Sequence, residues 1–151
     1  MVEWFLFVPQ SRLGLDDLVA RAQAAEASGF DGVALLDHLE TPMAPDSPIW
    51  EAMTAATWVA ARTERLTIGH LVLCDAFRHP AVLAKQAVTL AEASGGRFEL
   101  GLGSGSMPQE LEKFNFGTAS GAERVTRLER NLALLNEYLG RGKTTARTQV
   151  R

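Results

Sequence analysis

The chain has 151 residues, 46% hydrophobic and 22% charged, with a formal net charge of −3, which suits one soluble globular domain with a sizeable core. The slight acidity excludes a broad nucleic-acid surface, and no apolar run approaches the roughly 18 residues of a membrane span. The single cysteine, Cys74, excludes an internal disulfide and favours a cytoplasmic location.

The N-terminal stretch MVEWFLFVPQ lacks the charged start and cleavage site of a signal peptide. It reads as a strand, the apolar run Trp4 to Val8 closed by Pro9. LDDLVARAQAAEASGF then predicts a helix: Asp16 and Asp17 sit in its first turn, Leu15, Leu18, Ala22 and Ala25 form one stripe, and Gly29 is its stop. A second strand, Gly32 to Leu36, ends in the pair Asp37–His38, and a proline-rich loop leads to a second helix in IWEAMTAATWVAART. LTIGHLVLCD predicts a third strand, and HPAVLAKQAVTLAEASGG a third helix with Pro80 in its first turn. RFELGLGSG predicts a fourth strand. After a loop, GAERVTRLERNLALLNEYLG predicts a fourth helix, its stripe formed by Val125, Leu128, Leu132, Leu135 and Leu139. The last eleven residues carry four positive charges and no acid, and read as a disordered basic tail, 141–151, after a domain spanning 1–140.

Strand and helix thus alternate four times, the pattern of a parallel α/β sheet. Two architectures follow: a doubly wound open sheet, or half of a (β/α)8 barrel, a whole barrel needing about 250 residues. A doubly wound nucleotide domain requires a fingerprint after the first strand, and VPQSRLGLDD does not supply one.

In both architectures chemistry gathers at the carboxyl ends of the strands. The first end offers Gln10 and Ser11, which also suit an ordinary turn. The second offers Asp37 and His38, a carboxylate and an imidazole able to exchange protons or to serve as a cap and a surface histidine. At the third, Cys74, Asp75, Arg78 and His79 cluster; a small buried thiol is the commoner role for such a cysteine, and Arg78 could pair with an anionic group. His70, inside the strand, reads as a hydrogen-bonded core residue. At the fourth end, Gly101, Gly103 and Gly105 are spaced two and two, with Pro108 close behind and the clear helix far later. That excludes the Gly-x-Gly-x-x-Gly fingerprint, and the absence of a Lys–Ser/Thr pair at this strand end excludes a phosphate loop there. What remains is a strand end of little bulk that a ligand can approach closely, with Ser104 and Ser106 as polar contacts. His38, His70 and His79 form no short ligand pair, so no metal site is expected.

The segments AAEASGFDGVALLDH and LTIGHLVLCDAFRHPAVLAKQAVTLAEASGGRFELGLGSGS closely resemble the luciferase-like monooxygenases, nearest the branch of oxidoreductases that use the deazaflavin coenzyme F420. The resemblance spans Trp4 to Leu139, and its most specific block is His79 to Gly105. It implies TIM-barrel-type parallel βα repeats, here a (βα)4 half-barrel, binding coenzyme F420 or FMN at the strand ends. The implied chemistry is hydride transfer or oxygen activation on a small-molecule substrate. Carried over by position, His38 is the implied catalytic residue. Asp37, Leu73, Cys74, Asp75, Gly103, Ser104, Gly105, Ser106 and Gln109 are the implied cofactor contacts. Gln109–Glu110 occupies the place of an Asn–Glu pair, and Leu73–Cys74–Asp75 the place of a non-proline cis peptide. The pattern stops near Gly140. A half-barrel exposes two sheet edges, so a homodimer is expected. The alternative expectation is a truncated, non-catalytic half-barrel acting as a remnant or assembly module.

Overall fold

The computed structural model describes residues 2–140, so the basic tail lies outside the described residues. In chain order the elements are β1 (Phe5–Phe7), α1 (Leu15–Ala27), β2 (Gly32–Leu35), α2 (Ala52–Ala60), β3 (Thr67–His70) and β4 (Leu73–Cys74). A 3₁₀ turn (Asp75–Phe77) leads to α3 (Pro80–Ala93), β5 (Phe98–Glu99), β6 (Leu102–Gly103), α4 (Pro108–Lys113) and α5 (Gly121–Tyr138).

Local chemistry sets most of these boundaries. The Glu51 carboxylate caps α2 by accepting the Thr54 N–H at 2.7 Å. Ser120 and Glu123 form a reciprocal capping box at the start of α5. Pro80 opens α3, where its missing N–H leaves no bond unmade. Gly29, at φ +83°, follows α1 in the left-handed region that glycine favours.

Strands β1, β2, β3 and β5 form one parallel sheet in that order. Leu6, Val33, Ile68 and Phe98 stand in register across it. These residues and Leu35 join the core with Leu18 and Ala22 of α1, Ala56 and Val59 of α2, and Leu83 and Leu90 of α3. Full burial of each large aliphatic contributes about 1.5–3 kcal/mol. The opposite face carries Phe5, Ala34, Gly69 and Glu99 around an open concavity whose lining includes no helical residue. Parallel strands with their helices packed on one face, and β1 and β5 as free edges, are the arrangement of a partial barrel.

Three expectations need correction. The third and fourth strands are each broken in two, so β4 and β6 pair separately beyond the main sheet. The break in the third coincides with a cis peptide at Leu71–Val72, two residues earlier than the segment Leu73–Cys74–Asp75. Second, Pro108 does not lie far ahead of a helix; it opens the short α4. Third, Val125 of the expected α5 stripe is half-exposed, whereas Leu135 and the polar Asn131 are the buried residues of that helix.

Gly101 and Gly103 also have a different role from the one expected. A Cβ on Gly101 would lie 2.2 Å from the His70 carbonyl oxygen, and one on Gly103 would lie 2.5 Å from Val72 Cγ2. The close approach is made by the protein's own third strand.

Candidate functional site

A cavity of about 280 Å³ opens at the carboxyl ends of the strands. Leu36, Leu73 and Leu111 give it apolar walls, and Asp37, His38, Cys74 and Glu110 are its ionisable residues. Position follows from the fold: β2 delivers Asp37 and His38, β4 delivers Leu73 and Cys74, and the loop after β6 delivers Gly105 and Ser106.

His38 is held by a residue 72 positions away. Its Nδ1 lies 2.8 Å from Glu110 Oε2. Glu110, only 3% exposed, accepts the Leu39 N–H at 2.6 Å and the Glu40 N–H at 3.2 Å on its other oxygen. A carboxylate so surrounded by donors acts as an acceptor, so the proton between it and His38 is assigned to Nδ1. In the neutral imidazole the lone pair then falls on Nε2, the nitrogen turned away from Glu110 and able to exchange a proton with a ligand.

Asp37 lines the cavity wall, but its carboxylate serves the protein. It accepts the Cys74 N–H at 2.7 Å and both terminal nitrogens of Arg78, at 2.6 and 3.0 Å. Arg78 therefore pairs with Asp37, and also with Glu51, instead of with a free anion. Burial would raise the Glu51 pKa, but the hydrogen bonds from Arg78 and the Thr54 amide outweigh it and bring the group down to about 2.

Asp75 is not brought to the cavity. It turns toward α5, where Arg127 and Asn131 hold it. Gly103 and Ser104 lie beside the cavity without lining it, and Gln109 is exposed on the outer side of α4. Leu73, Cys74, Gly105 and Ser106 do line it. Burial pushes the Cys74 thiol pKa up, so Cys74 is a packing surface and not an activated nucleophile. Gln10 is fully buried and bonds Leu36 on both its amide and carbonyl sides, which makes it structural. The lining residues that sequence reasoning did not single out are Leu36, Leu71, Val72, Met107 and Leu111. Glu110 entered only as the second member of a pair.

His70 is the core residue expected of it. Its Nε2 lies 3.2 Å from the Ala52 carbonyl, its Nδ1 has no partner among the described residues, and its ring meets Phe98 edge-on. Burial holds its imidazole below the usual histidine pKa. The unfolded chain, with a histidine pKa near 6.5, therefore takes up this proton first as pH falls. Stability from His70 is complete above about pH 6.5 and is lost below it, down through the depressed folded value. Urea titrations at pH 7.5 and 5.5 should show a drop in wild type that is reduced in His70→Gln. An equal drop in both would remove His70 as its source.

A family model described as luciferase-like monooxygenase matches residues 3–150. An F420-dependent glucose-6-phosphate dehydrogenase of Mycobacterium avium is 39% identical over 128 residues, which cover 80% of this chain and 37% of that protein. Its counterpart from Microbacterium testaceum is 35% identical over 127 residues, covering 83% and 38%. The chain thus spans well under half the length of these relatives. Among solved structures, an F420-dependent secondary alcohol dehydrogenase in complex with an F420–acetone adduct superposes with a TM-score of 0.80 at 21% identity, over 89% of this chain and 41% of that one. The oxygenating constituent of 3,6-diketocamphane monooxygenase from Pseudomonas putida, in complex with FMN, gives a TM-score of 0.73 at 21% identity, over 89% and 38%.

Proposed function

This chain belongs to the luciferase-like monooxygenase family, and from that premise we propose that it forms the ring-binding part of an oxidoreductase using coenzyme F420 or FMN. The observation that carries the reading is the His38–Glu110 pair at an apolar cavity on the strand ends. The donor set fits a flat aromatic ring. Leu36, Leu73 and Leu111 offer apolar walls, the loop at Gly105 and Ser106 offers little bulk, and His38, held by Glu110 at Nδ1, offers Nε2.

When bound, such a ring supplies the electron-pair chemistry: hydride transfer, or activation of oxygen. The chain supplies the rest. Leu73, Cys74, Gly105 and Ser106 would face the ring, and Glu110 holds His38 in one tautomer so that Nε2 can take or give a proton to a small-molecule substrate. Asp37 and Asp75 act one step back, fixing the backbone that walls the cavity.

A homodimer and a cytoplasmic location belong to the same proposal. An apolar groove between α2 and α3, with Trp58 and Val82 at its surface, supports the first. The lone buried thiol supports the second.

Titration with FMN and with coenzyme F420, followed by fluorescence, tests the cofactor. Saturable binding of one of them in the micromolar range is expected, and sedimentation of the same sample should give twice the chain mass. No saturable change with either would overturn the oxidoreductase reading in favour of a non-catalytic half-barrel.

A further inference from the structure

We propose that Asp75, Arg127 and Asn131 form a latch that sets the Ser104–Gly105 peptide and so presents the Gly105 N–H to the occupant of the cavity. The inference rests on the cofactor reading for the identity of that occupant, but not for the latch itself.

The latch joins three parts of the chain. Asp75 follows β4 and is 3% exposed. It accepts Arg127 Nε and Nη2, each at 3.1 Å, and Asn131 Nδ2 at 3.1 Å. Both donors stand on α5, one helical turn apart. Arg127 Nη2 also donates to the Ser104 carbonyl at 3.3 Å. One guanidinium therefore bridges the turn after β4 and the loop after β6.

The consequence lies in the peptide plane. The Ser104–Gly105 bond is trans, so the Gly105 N–H points opposite to the Ser104 carbonyl, away from Arg127. Among the described residues no backbone carbonyl takes that N–H. Gly105 lines the cavity, and a Cβ there would lie 3.0 Å from Cys74 Sγ, so the loop is seated firmly against the β4 end. An acceptor on a flavin-type ring, a carbonyl oxygen or ring nitrogen, is the partner such an amide suits.

Arg127 and Asn131 do not themselves line the cavity, so they are positioning residues. Stability alone does not account for them. A buried ion pair stabilises a fold little more than a well-packed apolar residue of similar volume. An apolar residue at position 127 could anchor α5, but could not hold a carbonyl in place.

The test uses the whole 151-residue chain labelled with ¹³C and ¹⁵N, as wild type, Arg127→Lys and Asn131→Ala. Without ligand, Arg127→Lys should move the Ser104 carbonyl-carbon and Gly105 amide resonances, since an ammonium lacks the two-nitrogen fork on Asp75 that seats Nη2 against the Ser104 carbonyl. Asn131→Ala should move them less, in the same direction. On titration with FMN, the Gly105 amide of wild type should shift along with His38 and Leu73. Arg127→Lys should reduce that Gly105 response and weaken FMN binding about tenfold, the size of one positioned hydrogen bond.

Ser104 and Gly105 signals unchanged in both variants would overturn the latch whatever FMN does. FMN binding that moves His38 and Leu73 but leaves Gly105 still would overturn the presentation of its N–H. If FMN moves none of the three in wild type, the FMN reading fails, while the ligand-free signals still decide the latch.

Discussion

Gly101→Ala should destabilise the fold by about 3 kcal/mol, at the upper end of what overpacking costs. The added methyl would sit 2.2 Å from the His70 carbonyl oxygen, 3.3 Å from its carbonyl carbon and 3.4 Å from Val72 Cγ1. Two of these three atoms are backbone, so no rotamer change relieves the clash. The third strand has to move, and the buried imidazole of His70 moves with it. Gly95→Ala is the informative control. Its position has open space around it but a φ of +67°, so only the left-handed conformation opposes the methyl, at roughly 1–2 kcal/mol. Urea denaturation followed by circular dichroism separates the two, and a Gly101→Ala midpoint no lower than that of Gly95→Ala would refute the steric account.

That contrast bears on what could be read in advance. The alternation of strands and helices was legible because the longer helices carry local marks or an apolar stripe: Pro80 at one start, Asp16 and Asp17 in the first turn of another, Gly29 after its end. The breaks in the third and fourth strands carry no such mark. Neither Leu71 nor Val72 precedes a proline, and nothing in LVLCD signals the cis peptide between them. Helix α4 escaped notice for a different reason. Pro108 looks like a terminator when no periodic stretch follows, yet proline is also a favoured first residue, and six residues are too few to show a period.

The same division runs through the site. His38, Cys74, Gly105 and Ser106 follow from one rule, that strand ends carry function, Leu73 came only from the family resemblance, and all five line the cavity. Asp37 and Asp75 came from that rule too, but each carboxylate is held by an arginine far along the chain, Arg78 and Arg127, 41 and 52 residues away. Pairing at such separation leaves no local pattern. In Gln109–Glu110 the choice between the two was a matter of helix register, and the register turns Gln109 outward and Glu110 inward.

Asp37→Ala should cost about 3–5 kcal/mol, the range for removing one member of a buried ion pair. The loss has two parts. The Cys74 N–H would lose its acceptor, and Arg78, 10% exposed at its side chain, would keep only Glu51 as a counter-charge. Arg78→Met should be comparably damaging at neutral pH, because it leaves the Asp37 carboxylate 2% exposed with no cation beside it. The double variant removes both charges and leaves neither buried alone. It should therefore be clearly more stable than the sum of the single losses predicts, with a coupling of about 1–3 kcal/mol. Denaturant midpoints for the four proteins measure that coupling. Strict additivity would mean that Asp37 and Arg78 act separately. Asp37 would then be free to meet a ligand directly, as its place at the end of β2 first suggested.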